Sequence, residues 1–250
     1  MLVEEGLVLS AEHDQSTLEN ILDLLDLELN TDQRNKLMFY AQMLLGELKR
    51  QRIIGEKTSE LIINKQFYDS LYLLKKLPFP DDNTVLDLGS GGGFPGIPLK
   101  IFLPEVRFFF MDSSSRKIRF LKNVTSKLGL EEVYFLEGRA EDWGQDIKHR
   151  ERYDLIVSKA VARMSVLAEL ALPLTAMNGN VVMYKGPRGD KELIDAEAAI
   201  TICGGQLEST WRYGLPTGEE RALYIIRKLN PTPNKYPRPS GRPAHRPIQN

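Results

Sequence analysis

The stretch Val85-Leu-Asp-Leu-Gly-Ser-Gly-Gly-Gly-Phe-Pro-Gly96 decides the fold of this chain of 250 residues. The apolar residues Val85, Leu86 and Leu88 have the pattern of a buried strand, and the glycines that follow predict a sharp turn. Pro95 fits the first turn of a helix, where a missing N–H costs nothing. A strand, a glycine turn and a helix start predict an α/β sheet with a nucleotide-containing cofactor at the helix N-terminus.

The same stretch fits two cofactor templates. The pattern Gly91-x-Gly93-x-x-Gly96 matches the dinucleotide fingerprint, and Asp87-x-Gly89-x-Gly91-x-Gly93 matches the first motif of S-adenosylmethionine (SAM) methyltransferases. In the dinucleotide template the first glycine directly follows the strand, whereas here Gly89 and Ser90 stand between the strand and Gly91. The acid at position 87 would repel pyrophosphate but suits SAM, which carries a sulfonium and an ammonium. SAM is therefore favoured, and a dinucleotide-dependent oxidoreductase stays as the alternative.

Composition limits the class of protein. The chain is 42% hydrophobic and 27% charged, which is ordinary for a globular protein with one sizeable core and a small appended element. Its single cysteine, Cys203, and its three scattered histidines disfavour disulfides and a metal site. No apolar run reaches the roughly 20 residues of a membrane span, and the N-terminus lacks the pattern of a signal peptide. We expect a cytoplasmic protein without membrane contact.

The pattern along the chain predicts three regions. Residues 1–80 have helical periodicity, with a capping box at Ser16-Thr-Leu-Glu19, a second helix opening at Thr31 and a short third helix over Phe67–Lys75. Residues 81–228 alternate between strands and helices. The proline-rich, basic tail at 229–250 is expected to be extended and not folded on its own.

The alternating region predicts a Rossmann-like class I SAM methyltransferase fold. Its sheet would have seven strands, mostly parallel, with an antiparallel hairpin at the end, because a short loop joins the last two strands. The predicted strands are Val85–Leu88, Val106–Met111, Val133–Leu136, Leu155–Val157, Val181–Tyr184, Gln206–Arg212 and Leu223–Arg227. The predicted helices after the glycine turn lie near Gly96–Phe102, Ser115–Leu128, Glu141–Ile147, Val166–Leu174 and Asp190–Ile202.

Two segments at strand ends are candidate cofactor contacts. Asp112 ends the second strand, where an acid accepts hydrogen bonds from ribose hydroxyls, although the same residue could cap the next helix. Arg139-Ala-Glu-Asp142 follows the third strand, so its backbone could face the adenine with an acid near the exocyclic amine. It could equally be a helix start with acids at the positive end of the helix dipole.

Motifs that are absent from the sequence limit which kind of atom could accept the methyl group. No Asn-Pro-Pro-Tyr-like motif follows the fourth strand, which disfavours methylation of an exocyclic amine. No cysteine stands there either, which disfavours a covalent thiolate mechanism, and Cys203 is expected in the core. Guanine N7 needs neither base nor nucleophile, because it has a free lone pair and loses no proton, so catalysis would reduce to positioning and electrostatics.

Basic residues gather at the predicted carboxyl edge of the sheet. Lys159 and the RNA-binding candidates would form a basic mouth for phosphates, although each alone could be a solvated surface charge. The tail adds basic residues without an acid, and an isolated basic tail is more often simply solvated. The RNA-binding candidates are Arg116, Lys117, Arg119, Arg163 and Lys185.

These residues resemble the RsmG (GidB) family. The resemblance covers most of residues 60–248, and Phe94-Pro-Gly-Ile-Pro98 is its most specific part. The other matching segments are Leu86–Leu99 as a whole, Met111–Ser113, Arg119–Leu121, Gly138–Glu141, Lys185-Gly186 and the tail from Tyr236 to Ile248. The resemblance implies a SAM-dependent methyltransferase that modifies N7 of a guanine in 16S ribosomal RNA, free or within the small ribosomal subunit, and that acts as a monomer.

The resemblance also implies site residues and shows departures, of which two concern single residues. Lys159 stands where the family usually has an arginine near the cofactor, and Gln66 stands where a histidine is usual. Because the departures lie mainly in the helical element, they suggest altered substrate docking more than lost SAM binding, and a non-catalytic RNA-binding relative is the other alternative. No catalytic residue is assigned. With the glycine motif, the expected cofactor-binding residues are Gly89, Gly91, Gly93, Phe94, Asp112, Ala140, Glu141 and Lys159.

Overall fold

The N-terminal region of the computed structural model is helical. The structure describes residues 2–48, 53–80 and 82–248, and side chains are described from residue 12 onward. Helix α1 spans Leu2–Leu25 and α2 spans Thr31–Leu48. A continuous helical segment follows, made of α3 (Ser59–Leu61), a π-helical turn (Ile62–Phe67), α4 (Tyr68–Leu71) and a 3₁₀ turn (Tyr72–Lys75).

The predicted capping box at Ser16 is wrong, because α1 already begins at Leu2 and runs through it. Thr17 instead donates its hydroxyl to the carbonyl of His13, one turn earlier in the same helix. A capping box does occur at the start of α2. There the side chain of Asn30 accepts from the backbone N–H of Gln33, and the side chain of Gln33 accepts from the backbone N–H of Asn30. The third helix also begins earlier than predicted, at Ser59, where the side chain of Thr58 caps it.

The sheet has seven strands in the order β3-β2-β1-β4-β5-β7-β6. Strand β7 is antiparallel to both of its neighbours, and the remaining pairs are parallel. This arrangement confirms the predicted seven-stranded, mostly parallel sheet with a terminal antiparallel hairpin. The strands are β1 (Thr84–Leu88), β2 (Arg107–Asp112), β3 (Val133–Glu137), β4 (Tyr153–Lys159), β5 (Thr175–Lys185), β6 (Gly205–Gly214) and β7 (Glu220–Lys228).

Helices follow the strands as predicted, with ends that differ by a few residues. Apolar residues of α6 at helical spacing, such as Ile118 and Leu121, are buried against the sheet, while the basic residues Arg116 and Arg119 are exposed. The helices are α5 (Gly96–Phe102), α6 (Ser115–Lys127), α7 (Ala140–Gln145), α8 (Met164–Ala171) and α9 (Gly189–Ile202).

Two hydrophobic clusters cover the two faces of the sheet. One contains Val85 and Phe108 from the strands together with Leu22 and Leu37 from α1 and α2. The other is built around α8 and α9 and includes Cys203, which is fully buried as predicted and whose pKa burial raises to about 12. The helical element therefore shares its core with one face of the sheet.

The C-terminal tail is packed against the sheet domain and is not merely extended. It contains one helical turn, α10 (Arg242–His245), which the sequence did not predict. The guanidinium of Arg150 donates to the carbonyls of Thr232 and Tyr236, and the side chain of Gln145 donates to that of Pro237. Prolines remove N–H groups, so the tail cannot form regular sheet pairs, but its carbonyls are satisfied by side chains of the domain.

Candidate cofactor cleft

A cleft of about 320 Å³ opens at the carboxyl ends of strands β1 to β4. This is the edge of the sheet where parallel α/β proteins bind ligands, next to the point where strand order reverses between β1 and β4. Apolar and polar groups contribute about equally to its walls, with carboxylates near the ends of β2 and β3. The lining residues include Leu88, Gly89, Met111, Asp112, Gly138, Arg139, Ala140, Glu141, Ala160, Val161, Ala162, Val166, Leu170 and Ala244.

The glycine turn forms the floor of the cleft at Gly89. The N–H groups of Gly89 and Ser90 both donate to the carbonyl of Met111, at 2.8 and 2.9 Å, which folds the turn back onto the end of β2. Gly89, Gly91 and Gly93 have φ values of +76°, +58° and +101°, a region that favours glycine. A Cβ on Gly89 would lie 2.4 Å from Cγ2 of Val161, so the missing side chain also lets the opposite wall approach.

Asp112 lies at the end of β2, as predicted, and its carboxylate lines the cleft. Its Oδ2 accepts from the N–H of Gly91 at 3.0 Å and lies 3.3 Å from Nζ of Lys117, while Oδ1 accepts from the N–H of Ser114 at 2.9 Å. The N-cap of α6 is Ser114, so Asp112 is not itself the cap, but its carboxylate ties the glycine turn to this N-cap residue. A carboxylate has about four acceptor positions, so capacity remains for a ribose hydroxyl.

Ala140 and Glu141 line the cleft across from the glycine turn. The carboxylate of Glu141 is 5% exposed, and its Oε1 accepts from the N–H of Gly241 in the tail at 2.8 Å. Nη2 of Arg139 lies 3.5 Å from the same oxygen. Glu141 therefore stands where the sequence predicts an acid near an adenine, with one of its two oxygens bound to the tail.

The loop after β4 forms a third wall. Ala160 has a φ of +59°, which is strained for a residue with a side chain, and Val161 packs over Gly89. The ammonium of Lys185 donates to the carbonyl of Ala162 at 2.6 Å and to Oε2 of Glu192 at 2.7 Å. Glu192 also accepts from the N–H of Met164, so the pair fixes the loop to the start of α8.

Four predicted cofactor residues, Gly91, Gly93, Phe94 and Lys159, are not part of the lining of the cleft. The last three lie on the other side of the glycine turn. Gly93 approaches the hydroxyl of Tyr40, and the ring of Phe94 packs against Tyr40 and Phe67, with ring centroids 5.4 and 6.1 Å apart. Nζ of Lys159 lies 5.7 Å from the centroid of the Phe94 ring. This side of the turn faces the helical element, so the motif serves packing there.

Asp87 does not reach the cleft, contrary to the idea that its charge meets a cationic ligand. The side chain is fully buried, and Oδ2 accepts from the N–H of Gly96 at 3.0 Å, at the start of α5. Burial is the main cause that raises its pKa to about 7, and the charge of Asp112 acts in the same direction. Its Oδ1 has no hydrogen-bond partner among the described residues.

The candidate RNA-binding residues separate into two groups. Arg116, Arg119 and Arg163 are exposed, and the first and last of them are sequence neighbours of the lining residues Lys117 and Ala162. Lys117 is half-buried and points to Asp112. The side chain of Lys185 is only 11% exposed and its ammonium is held by Glu192 and Ala162, so this geometry favours a structural role over the predicted contact with RNA.

Apolar and tail residues of the cleft were missed by sequence reasoning. Val166 and Leu170 lie one turn apart on α8 and carry no motif that separates them from ordinary core residues. Ala244 comes from the tail, which contacts such as that between Gly241 and Glu141 hold beside the cleft. No cluster of metal-ligating side chains occurs within residues 12–47, 53–80 and 82–248. No helix in the described part of the chain is long and apolar enough to cross a membrane.

Comparison with known proteins agrees with this architecture. The sequence profile of the GidB family, described as rRNA small subunit methyltransferase G, matches residues 33–220. A protein named ribosomal RNA small subunit methyltransferase G from Listeria monocytogenes is 39% identical over 224 residues, which cover 89% of this chain and 94% of the relative. The protein of the same name from Desulforamulus reducens is 39% identical over 233 residues, covering 93% and 97%.

Among solved structures, a chain in complex with the Haloferax volcanii Trm112 methyltransferase activator superimposes with a TM-score of 0.53 at 14% identity, covering 77% of this chain and 98% of that one. The sheet order, the glycine turn and the cleft define a Rossmann-like class I methyltransferase fold. With the profile match and the relatives at 39% identity, the chain belongs to the GidB family. The comparisons give no support to a dinucleotide-dependent oxidoreductase.

Proposed function

We propose that this chain transfers the methyl group of SAM to N7 of a guanine in the RNA of the small ribosomal subunit. The observation that carries the proposal is the cleft at the glycine turn in a chain of the GidB family, whose relatives are named as methyltransferases of that RNA. A non-catalytic relative that only binds RNA is the second candidate, and methyl transfer separates the two.

The cleft fits the adenosyl part of SAM in size and chemistry. Its volume of about 320 Å³ lies in the range of small-molecule sites. Val166 and Leu170 offer an apolar surface for an adenine, and Glu141 lies beside it as a hydrogen-bond acceptor. Asp112 can still accept hydrogen bonds from ribose hydroxyls. At Gly89 a ligand can contact the backbone directly, because no side chain covers it.

Bound SAM supplies an electrophilic methyl group, so the protein has to hold the acceptor in line with the methyl–sulfur bond. Guanine N7 loses no proton on methylation and needs no general base. The titratable side chains that line the cleft are Asp112, Lys117, Arg139 and Glu141, and each carboxylate among them already accepts hydrogen bonds from the protein. This arrangement supports catalysis by positioning, and we assign no catalytic residue.

We propose that the RNA lies across the mouth of the cleft. This is supported by the exposure of Arg116, Arg119 and Arg163, two of which adjoin lining residues in the sequence, because exposed guanidinium groups suit phosphate contacts that do not read the base sequence. The choice of guanine would then depend on the RNA fold presented to the helical element. A ribosomal RNA substrate implies a cytoplasmic protein, and we propose that it acts as a monomer, which light scattering on the purified chain tests.

The test is methylation of small ribosomal subunits from cells that lack the gene. Purified protein is incubated with these subunits, with naked 16S RNA and with SAM labelled in the methyl group. The expected product is RNA that breaks at one guanine under the borohydride and aniline treatment that cleaves at N7-methylguanine. Label on an exocyclic amine would overturn the N7 assignment, and tight RNA binding with no transfer would establish the non-catalytic alternative.

A further inference from the structure

The C-terminal tail reaches the cofactor cleft and contributes to its wall. Ala244, in the single turn of α10, lines the cleft together with Ala162, Leu170 and Arg139. These residues come from three different elements, the loop after β4, helix α8 and the loop after β3. The tail thus supplies a part of the cleft wall that the strands and helices of the sheet domain do not supply.

The tail is held on the domain by a buried ion pair. Glu169 in α8 is fully buried, and its two oxygens accept from Nε and Nη2 of Arg238 at 2.8 and 2.6 Å. The N–H of Arg238 donates to the same carboxylate at 2.9 Å. A two-pronged pair of this kind fixes the orientation of the chain, and not only its distance. The tail therefore approaches the cleft from a fixed point.

A second contact joins the tail to a cleft residue. The N–H of Gly241 donates to Oε1 of Glu141, and Nε of Arg139 donates to the hydroxyl of Ser240 at 3.2 Å. Gly241 has a φ of +81°, so the turn that presents this N–H favours glycine. With one oxygen fixed by the tail, the Glu141 side chain is limited to one orientation, in which its other oxygen remains for a ligand.

We propose that the tail from Arg238 to Ala244 is part of the SAM site, as a wall through Ala244 and as the group that orients Glu141 through Gly241. This inference rests on the proposed function for the identity of the ligand. An oriented acceptor binds better than a free one, because its rotamers need not be fixed when the ligand arrives. The tail is therefore a positioning element for the cofactor and not only a basic extension.

The test measures SAM affinity of the full chain by calorimetry. Gly241→Pro removes the N–H and cannot adopt the observed φ, whereas Arg246→Ala changes an exposed residue beyond the proposed segment and keeps the contact to Glu141. We expect Gly241→Pro to bind SAM about fivefold to tenfold more weakly, because one hydrogen bond is lost and the wall is displaced, and Arg246→Ala to bind it as wild type does. Removal of residues 240–250, which leaves the Arg238–Glu169 pair in place, should give the same loss as Gly241→Pro or a larger one.

Thermal unfolding of each variant provides the second readout. Variants that unfold at the wild-type temperature and bind SAM more weakly support the inference. Unchanged SAM affinity in the truncated chain and in Gly241→Pro would overturn it, even if both melted earlier, because the tail would then be structural only. Failure of the wild-type chain itself to bind SAM would instead count against the proposed function.

Discussion

Nζ of Lys159, at the end of β4, lies 2.6 Å from Oδ2 of Asp69 in the helical element. The two side chains are 13% and 2% exposed, and Gln66 accepts a second hydrogen bond from the same ammonium at 2.7 Å. The departure from arginine to lysine at this position is thus matched by partners in the helical element. Lys159 joins that element to the sheet beside the cleft, without lining the cleft itself.

Removing one partner of this pair should destabilise the fold. We expect Lys159→Met to lower the free energy of unfolding by about 3 kcal/mol, because the buried carboxylate of Asp69 loses its ion-pair partner and keeps the hydrogen bond from the hydroxyl of Tyr213. The double variant Lys159→Met with Asp69→Asn should be more stable than the sum of the two single changes implies. Urea denaturation of all four proteins measures this coupling, and additive changes would show that the pair is not energetically linked.

Lys185 should affect cofactor binding although it lies outside the lining of the cleft. Its ammonium fixes the loop at Ala162, so we expect Lys185→Met to raise the KM for SAM severalfold and to leave RNA affinity unchanged. Lys191→Met on the same helix as Glu192 is the matched control, since that side chain is exposed. A weaker affinity for RNA with an unchanged KM for SAM would restore the phosphate-binding role that the sequence suggested.

The floor of the cleft should not tolerate a side chain at Gly89. In Gly89→Ala the new Cβ would meet Val161 at 2.4 Å with a φ of +76°, so the loop after β4 has to move. We expect SAM binding measured by calorimetry to fall at least tenfold. Gly214→Ala is the control, because a Cβ there meets no atom within 4 Å. Equal SAM affinity in the two variants would contradict a cofactor site at the turn.

The exposed arginines should determine the salt dependence of RNA binding. Changing Arg116, Arg119 or Arg163 to glutamine should weaken binding across RNA sequences. The slope of log affinity against log salt should fall by about one for each phosphate that the variant no longer neutralises. Arg107→Gln, at the opposite edge of the sheet, should leave the slope as it is. Slopes that stay unchanged in all three test variants would move the RNA surface elsewhere.

Asp87 should make stability depend on pH near neutrality. The pKa of Asp87 is about 7 in the folded protein and 3.8 for an ordinary aspartate. Between pH 3.8 and pH 7 the folded protein therefore keeps a proton on this carboxyl group, whereas the unfolded chain has released it. Stability is therefore lost as the pH rises through this window. We expect wild type to lose stability relative to Asp87→Asn between pH 5 and pH 8, measured by urea denaturation at each pH. A constant difference between the two proteins would show that Asp87 titrates normally.

The sequence predicts best where its signals are local. Gly89 and Asp112 lie within one strand–turn–helix–strand unit, so the local pattern places both at the carboxyl ends of adjacent strands. The charge of Lys185 is visible in the sequence, whereas its partner Glu192 is identified only when β5 and α9 are packed. The capping box at Ser16 failed for a related reason, since a cap motif does not reveal that the residues before it are already helical.

The tail shows the limit of sequence patterns most clearly. Gly241 and Glu141 are 100 positions apart, and neither residue type signals the other. Proline-rich composition correctly predicts the absence of strands, yet it says nothing about the side chains that satisfy the tail's carbonyls. Contacts of this kind depend on the finished surface of the domain.

The position of β7 between β5 and β6 has a consequence for synthesis of the chain. Strand β6 precedes β7 in the sequence but borders the sheet only through it. While the chain emerges from the ribosome, residues 205–214 have no edge to join until Glu220–Lys228 have been made. The nascent protein therefore carries an unpaired strand for a short interval, in which it is open to mispairing with other chains.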